Sequence, residues 1–108
     1  MELRQYVTAS GKIIFDSWLQ ALADNRAQAR IVARLDRLVL NNFGDCKPVG
    51  SGVFELRIDY GPGYRVYYTI VGRSVVLLLC GGDKRRQSAD IAKAIEYLQD
   101  YRKRSAKI

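Results

Sequence analysis

The stretch FELRIDYGPGYRVYYTI, residues 54–70, decides the fold. Phe54, Leu56, Ile58 and Tyr60 fall on one side of an alternating pattern, with Glu55, Arg57 and Asp59 on the other. After Gly61-Pro62-Gly63 the alternation resumes: Val66, Tyr68 and Ile70 against Arg65, Tyr67 and Thr69. Alternation of period two is the mark of a strand with one face toward a core, and a Gly-Pro-Gly interruption is a turn. The pattern therefore predicts a hairpin. Closed symmetrically about Pro62, it sets Asp59 opposite Arg65, Arg57 opposite Tyr67 and Glu55 opposite Thr69, all on the face turned away from the core.

Outward from the hairpin, ELRQYVT (residues 2–8) alternates as another strand, and Ser10 can cap a helix after it. Ile14, Trp18, Ala21 and Leu22 recur at helical spacing over 12–22, with Trp18 read as core. Asp24 or Asn25 can cap a second helix with the stripe Ala27, Ile31, Leu35, Leu38 and Val39. Arg26, Arg30, Arg34 and Arg37 lie on another side of it, a solvated face. NNFGD ends that helix, and KPVGSG reads as a loop. Gly72-Arg73 is a second tight turn. SVVLLLC (74–80) is apolar throughout, as a central strand covered on both faces would be. GGDKRRQS comes next as a glycine-rich basic loop. A last helix over 87–101 carries Ile91, Ile95 and Leu98, and residues 102–108 read as a frayed basic tail.

The order is β-α-α-β-β-β-α, an α+β fold. Three hairpin-linked strands and the first strand form an antiparallel sheet, with the two N-terminal helices packed on one face. With 108 residues, 48% of them hydrophobic, a single domain spanning 1–108 is expected.

Composition narrows the chemistry. The formal charge is +7, the footprint of a polyanionic partner, and the excess is uneven. Residues 1–52 hold seven Lys/Arg against five Asp/Glu, and residues 53–108 hold eleven against six. There is no histidine, and Cys46 and Cys80 are isolated, so neither a zinc site nor a disulfide framework is supported. No Ser-His-Asp set exists, and neither cysteine has a histidine to activate it. Residues 1–10 lack a signal-peptide pattern, and Val75–Cys80 is too short to span a bilayer, so a cytoplasmic protein is expected. The hairpin's outer face, with the basic loop beside it, puts Arg and an exposed Tyr on one open sheet, a platform suited to single-stranded RNA. The competing reading is a polar, solvated sheet face with ordinary cross-strand pairs.

NNFGDCKPVGSGVFELRIDYGPGYRVYYTI, followed by VVLLLCGGDKRRQSADIAKAIEYLQDY, closely resembles the RelE/ParE superfamily. Within it the match is to the phage-derived, HigB-like addiction-module killer toxins. The resemblance covers nearly the whole chain, and it implies the toxin of a type II toxin–antitoxin pair. Its partner would be a small antitoxin, for this branch a helix-turn-helix protein, with operator DNA reached through their complex. RelE-like and HigB-like members cleave mRNA on the ribosome by attack of a 2′-hydroxyl on the adjacent phosphate, without metal or cofactor. Position by position, the resemblance implies catalytic roles for Glu55, Arg57, Arg65, Lys84 and Arg85. Glu55 would take the 2′-hydroxyl proton, Arg65 and Arg85 would stabilise the phosphate, and Lys84 would assist the leaving oxygen. Tyr67, Arg86 and Arg73 are expected to bind RNA around them. Two departures matter: Glu55 stands where RelE has Lys, and Ile91 where RelE has Tyr. A gyrase inhibitor of the ParE kind, or a degenerate toxin serving as co-repressor, therefore stay open.

Overall fold

The computed structural model describes residues 1–106. Its elements are β1 (Glu2–Gln5), α1 (Ile14–Ala21), α2 (Asn25–Val39), β2 (Cys46–Gly50), β3 (Val53–Ile58), β4 (Tyr64–Val71) and β5 (Val75–Asp83). A 3₁₀ turn (Lys84–Arg86) then leads into α3 (Gln87–Ser105). The strands form one sheet in the order β1-β5-β4-β3-β2.

The α+β class agrees with expectation, the element order gains one strand, and the expected antiparallel sheet is corrected. The sheet is mixed: β2 to β5 are antiparallel neighbours, but β1 runs parallel to β5, Glu2 opposite Val75 and Gln5 opposite Leu78. The segment read as the loop KPVGSG supplies a fifth strand, β2, in which Pro48 pairs with Phe54. Proline removes a ladder donor, so it is tolerated because β2 is an edge.

The helices obey local rules. The Asp24 carboxylate caps α2, accepting from the backbone N–H of Arg26 at 2.9 Å and Ala27 at 3.2 Å. Ser10 does not cap α1; its hydroxyl lies 3.0 Å from that of Thr8, and α1 begins at Ile14 with no side-chain cap. Phe15 and Leu19 of α1, with Ala27, Ile31, Leu35 and Leu38 of α2, bury against Leu56, Ile58, Val66, Tyr68, Val76 and Leu78. This is the core the hairpin alternation announced.

The opposite face is not open. α3 lies across it, and Ala94 and Leu98 bury against Val53, Tyr67, Leu77 and Leu79, with Ile91 and Ile95 at the margin. Leu77 and Leu79 required such a cover, because a strand apolar on both faces cannot leave one in water. α3 also runs four residues past Tyr101, so 102–105 are helical rather than frayed; residues 107–108 of the expected tail lie outside the described residues.

The hairpin register differs from the symmetric closure about Pro62. Ile58 pairs with Tyr64, Arg57 with Arg65 and Glu55 with Tyr67. The connection 59–63 is centred on Gly61, whose φ of 56° admits the left-handed turn. A slip of two residues leaves every side chain on its expected face and changes only its partner.

Candidate functional site

Arg57 and Arg65 stand directly opposite one another, on the face that α3 covers farther along the sheet. Like charges in such a pair repel. The next pair inward, Glu55 and Tyr67, supplies the remedy. Glu55 is fully buried, and its Oε1 accepts from Arg57 Nε at 3.0 Å, with Arg65 Nε at 3.8 Å. Its Oε2 accepts from Tyr67 Oη at 3.2 Å and from Gln87 Nε2, in the first turn of α3, at 2.7 Å. Burial alone would push the Glu55 carboxyl up, but the hydrogen bonds from Arg57, Gln87 and Tyr67 outweigh it and hold it below its ordinary value. Burial and the neighbouring Glu55 carboxylate push the Tyr67 phenol well above its usual range.

Above this carboxylate is a cleft of about 400 Å³. Arg57, Arg65 and Lys84 line it, with Asp45 and Asp59 at its rim and the turn Gly61–Gly63 along one side. Lys84 reaches it because its backbone N–H donates to Gly63 O at 2.9 Å, tying the exit of β5 to the hairpin turn. Arg65 Nη1 donates to Tyr64 O at 3.1 Å, and its buried Nε finds no hydrogen-bond acceptor among the described residues. A guanidinium beside two further cations in one cleft suits an anion, and phosphate oxygens match it in geometry and charge.

The expected site residues divide into groups. Arg57, Arg65 and Lys84 come together. Glu55 lies beneath them with no exposed surface, so it cannot touch a substrate hydroxyl: the role of proton acceptor read for it is corrected to that of counter-ion. Tyr67 is also fully buried and offers no ring to a base, since α3 covers it. Arg73 sits in the β4–β5 turn, at the other end of β4 from Arg65, and joins no part of the cleft. Arg85 is 81% exposed and paired with Asp83 at 3.2 Å. With Arg86 it faces a second, larger cleft between α1 and α3. Gln87 was not singled out in the sequence: nothing marks a glutamine in a basic loop as the link between a helix and a buried carboxylate. Asp45 and Asp59 were likewise missed as rim residues; Asp59 was visible only as an expected partner of Arg65.

A family model described as "Phage derived protein Gp49-like (DUF891)" matches residues 17–103. The chain belongs to that family. The Gp49-like proteins are a toxin-like family related to the RelE- and HigB-type addiction-module killers. The match spans α1 through most of α3 and so includes every residue of the cation cleft. A relative from Haemophilus influenzae, described as an uncharacterized protein, is 55% identical over 82 residues, covering 76% of this chain and 83% of its own length. Among the described residues of this Gp49-like protein, no helix is long and apolar enough to cross a membrane.

Proposed function

We propose that this protein is the toxin of a type II toxin–antitoxin pair and acts as an mRNA endonuclease on the ribosome, with the Arg57–Arg65–Lys84 cleft as its active site. Membership of the Gp49-like family supports the toxin–antitoxin assignment, and that family is associated with toxin endoribonucleases. The observation that carries the nuclease reading is the convergence of three cations on one cleft.

The scissile phosphate sits between Arg57 and Arg65. The 2′-hydroxyl oxygen attacks the adjacent phosphorus as the bond to the 5′-oxygen breaks, leaving a 2′,3′-cyclic phosphate and a 5′-hydroxyl. Charge grows on the non-bridging oxygens, and the two guanidinium groups, already fixed by Glu55, meet it without reorganising. Lys84 gives a proton to the departing 5′-oxygen. The 2′-hydroxyl proton passes to a rim carboxylate, Asp59 or Asp45, the acidic groups that line the cleft. Glu55 acts through Arg57 and Arg65 and is a positioning residue. The partner that restrains the toxin is a small antitoxin of the helix-turn-helix kind.

The test is brief induction of wild type and Arg65→Ala, with 5′ ends mapped on a translated mRNA. The expected result is cuts within codons for wild type and a loss of about 10²–10³ in rate for the variant. Growth arrest with DNA damage and no cuts would replace this reading with gyrase inhibition. No growth arrest would leave a co-repressor.

A further inference from the structure

The second cleft, between α1 and α3, has a volume of about 720 Å³. Lys12, Arg85, Arg86 and Lys93 surround it, and Trp18 and Tyr97 contribute aromatic walls. Part of its floor is backbone, at Gly81 and Gly82. Neither glycine has room for a side chain: a Cβ on Gly81 would lie 2.2 Å from Trp18 Cε3, and one on Gly82 1.9 Å from Asp90 Oδ2. Four cations face two carboxylates, and one of these, Asp83, is already paired with Arg85 at 3.2 Å. Lys84 belongs to the first cleft and Arg85 and Arg86 to the second, so the two are neighbours along three consecutive residues.

We propose that this second cleft is an RNA subsite that takes one nucleotide of a single strand, its base against Trp18 and its phosphate among Lys12, Arg85, Arg86 and Lys93. The inference rests on the nuclease reading and extends it: the strand that leaves the first cleft over Lys84 passes into the second. The aromatic walls favour a nucleotide over an acidic peptide, because a base has a π face to stack and a carboxylate has none. Stacking on an aromatic wall needs an unstacked base, so the cleft selects unpaired RNA over a duplex.

Trp18 is the single tryptophan of the chain, so its fluorescence reports on the cleft directly. The probe is a short 2′-O-methyl RNA strand, which lacks the attacking hydroxyl and so reports binding alone. It should quench Trp18 emission, whereas an abasic strand of equal length should bind more weakly and quench little. Lys12 and Lys93 are exposed, Lys93 in a loose pair with Glu96 at 3.7 Å, so both can be removed without disturbing the core. Lys12→Ala with Lys93→Ala should flatten the slope of log affinity against log salt by up to about 0.7, the share of the one phosphate the subsite holds. Trp18→Ala should weaken the strand about tenfold by fluorescence anisotropy. Absence of quenching, or an unchanged salt slope in the double variant, would overturn the subsite. So would displacement of the strand by polyglutamate at equal charge, which would assign the cleft to an acidic peptide. Cleavage by wild type that is lost in Arg65→Ala, combined with any of these failures, would overturn the subsite and leave the active site standing.

Discussion

Replacing Glu55 removes the acceptor of Arg57, Tyr67 and Gln87 and the near neighbour of Arg65 in one step. Breaking a buried pair by deleting one partner costs about 3–5 kcal/mol, because the remaining charge is left unpaired. The Arg57 side chain is 34% exposed and can turn to water, which places Glu55→Ala near the lower bound, about 3 kcal/mol. For a domain of this size each kcal/mol moves Tm by about 4–8 °C, so the expected fall is about 12–24 °C. Glu55→Gln keeps the volume but turns an amide N–H₂ toward groups that are themselves donors, and should lose about half as much. The pH dependence has a definite sign. The folded carboxyl titrates below its ordinary value of 4.5, so its contribution is fully present above that pH and disappears as pH falls through the folded value. The Tm gap between wild type and Glu55→Gln should therefore be widest near neutrality and should close in acid. Thermal unfolding followed by circular dichroism from pH 7 to pH 3 measures it. An Ala variant within about 2 °C of wild type at pH 7, or a gap that does not shrink in acid, would refute the role of Glu55 as counter-ion.

Gly81→Ala forces a methyl into the Trp18 ring, which Phe15 and Tyr64 flank at 5.7 and 6.2 Å between ring centroids. It should cost about 1–3 kcal/mol and shift Trp18 emission, both readable in one melt. Burial pushes the Cys80 thiol up to about 12, so only about one thiol in 10⁴ is ionised at pH 8. Alkylation followed by mass spectrometry should label Cys46 first; prompt labelling of Cys80 in the folded protein would contradict its burial. Arg73→Ala, at the far end of β4 from the cleft, should leave both Tm and mRNA cleavage unchanged, and a loss of cleavage would mean that RNA reaches the opposite end of the sheet.

The hairpin faces, the α2 stripe and the gathering of Arg57, Arg65 and Lys84 were legible because they depend on period and proximity, which a sequence carries openly. The covering of the second face was legible in part. Leu77 and Leu79 demanded a partner layer and Ile91, Ile95 and Leu98 offered one, yet the charges of Glu55, Arg57 and Arg65 suggested open water. What a one-dimensional pattern does not carry is depth along a strand: Glu55 and Arg57 share a face, but α3 ends its cover between them. Strand β2 was hidden by its own composition, since Pro48 and Gly50 suit an edge strand and a loop equally. The hairpin register turned on which residue of Gly61-Pro62-Gly63 forms the midpoint, a choice made by backbone angles rather than by residue type.

The parallel pairing of β1 with β5 has a consequence for synthesis. Glu2 finds its sheet partner only when Val75 has emerged, and Lys84 and Gln87 come later still. Domains form as units while the chain grows from its N-terminus, and pairings distant in sequence close last. A ribosome translating this message therefore holds an unfinished sheet and an unformed cleft until those residues have been made. Under the proposed function, the ribosome that makes the toxin is spared until Gln87 has emerged, and a product cut short of Lys84 lacks part of the cleft.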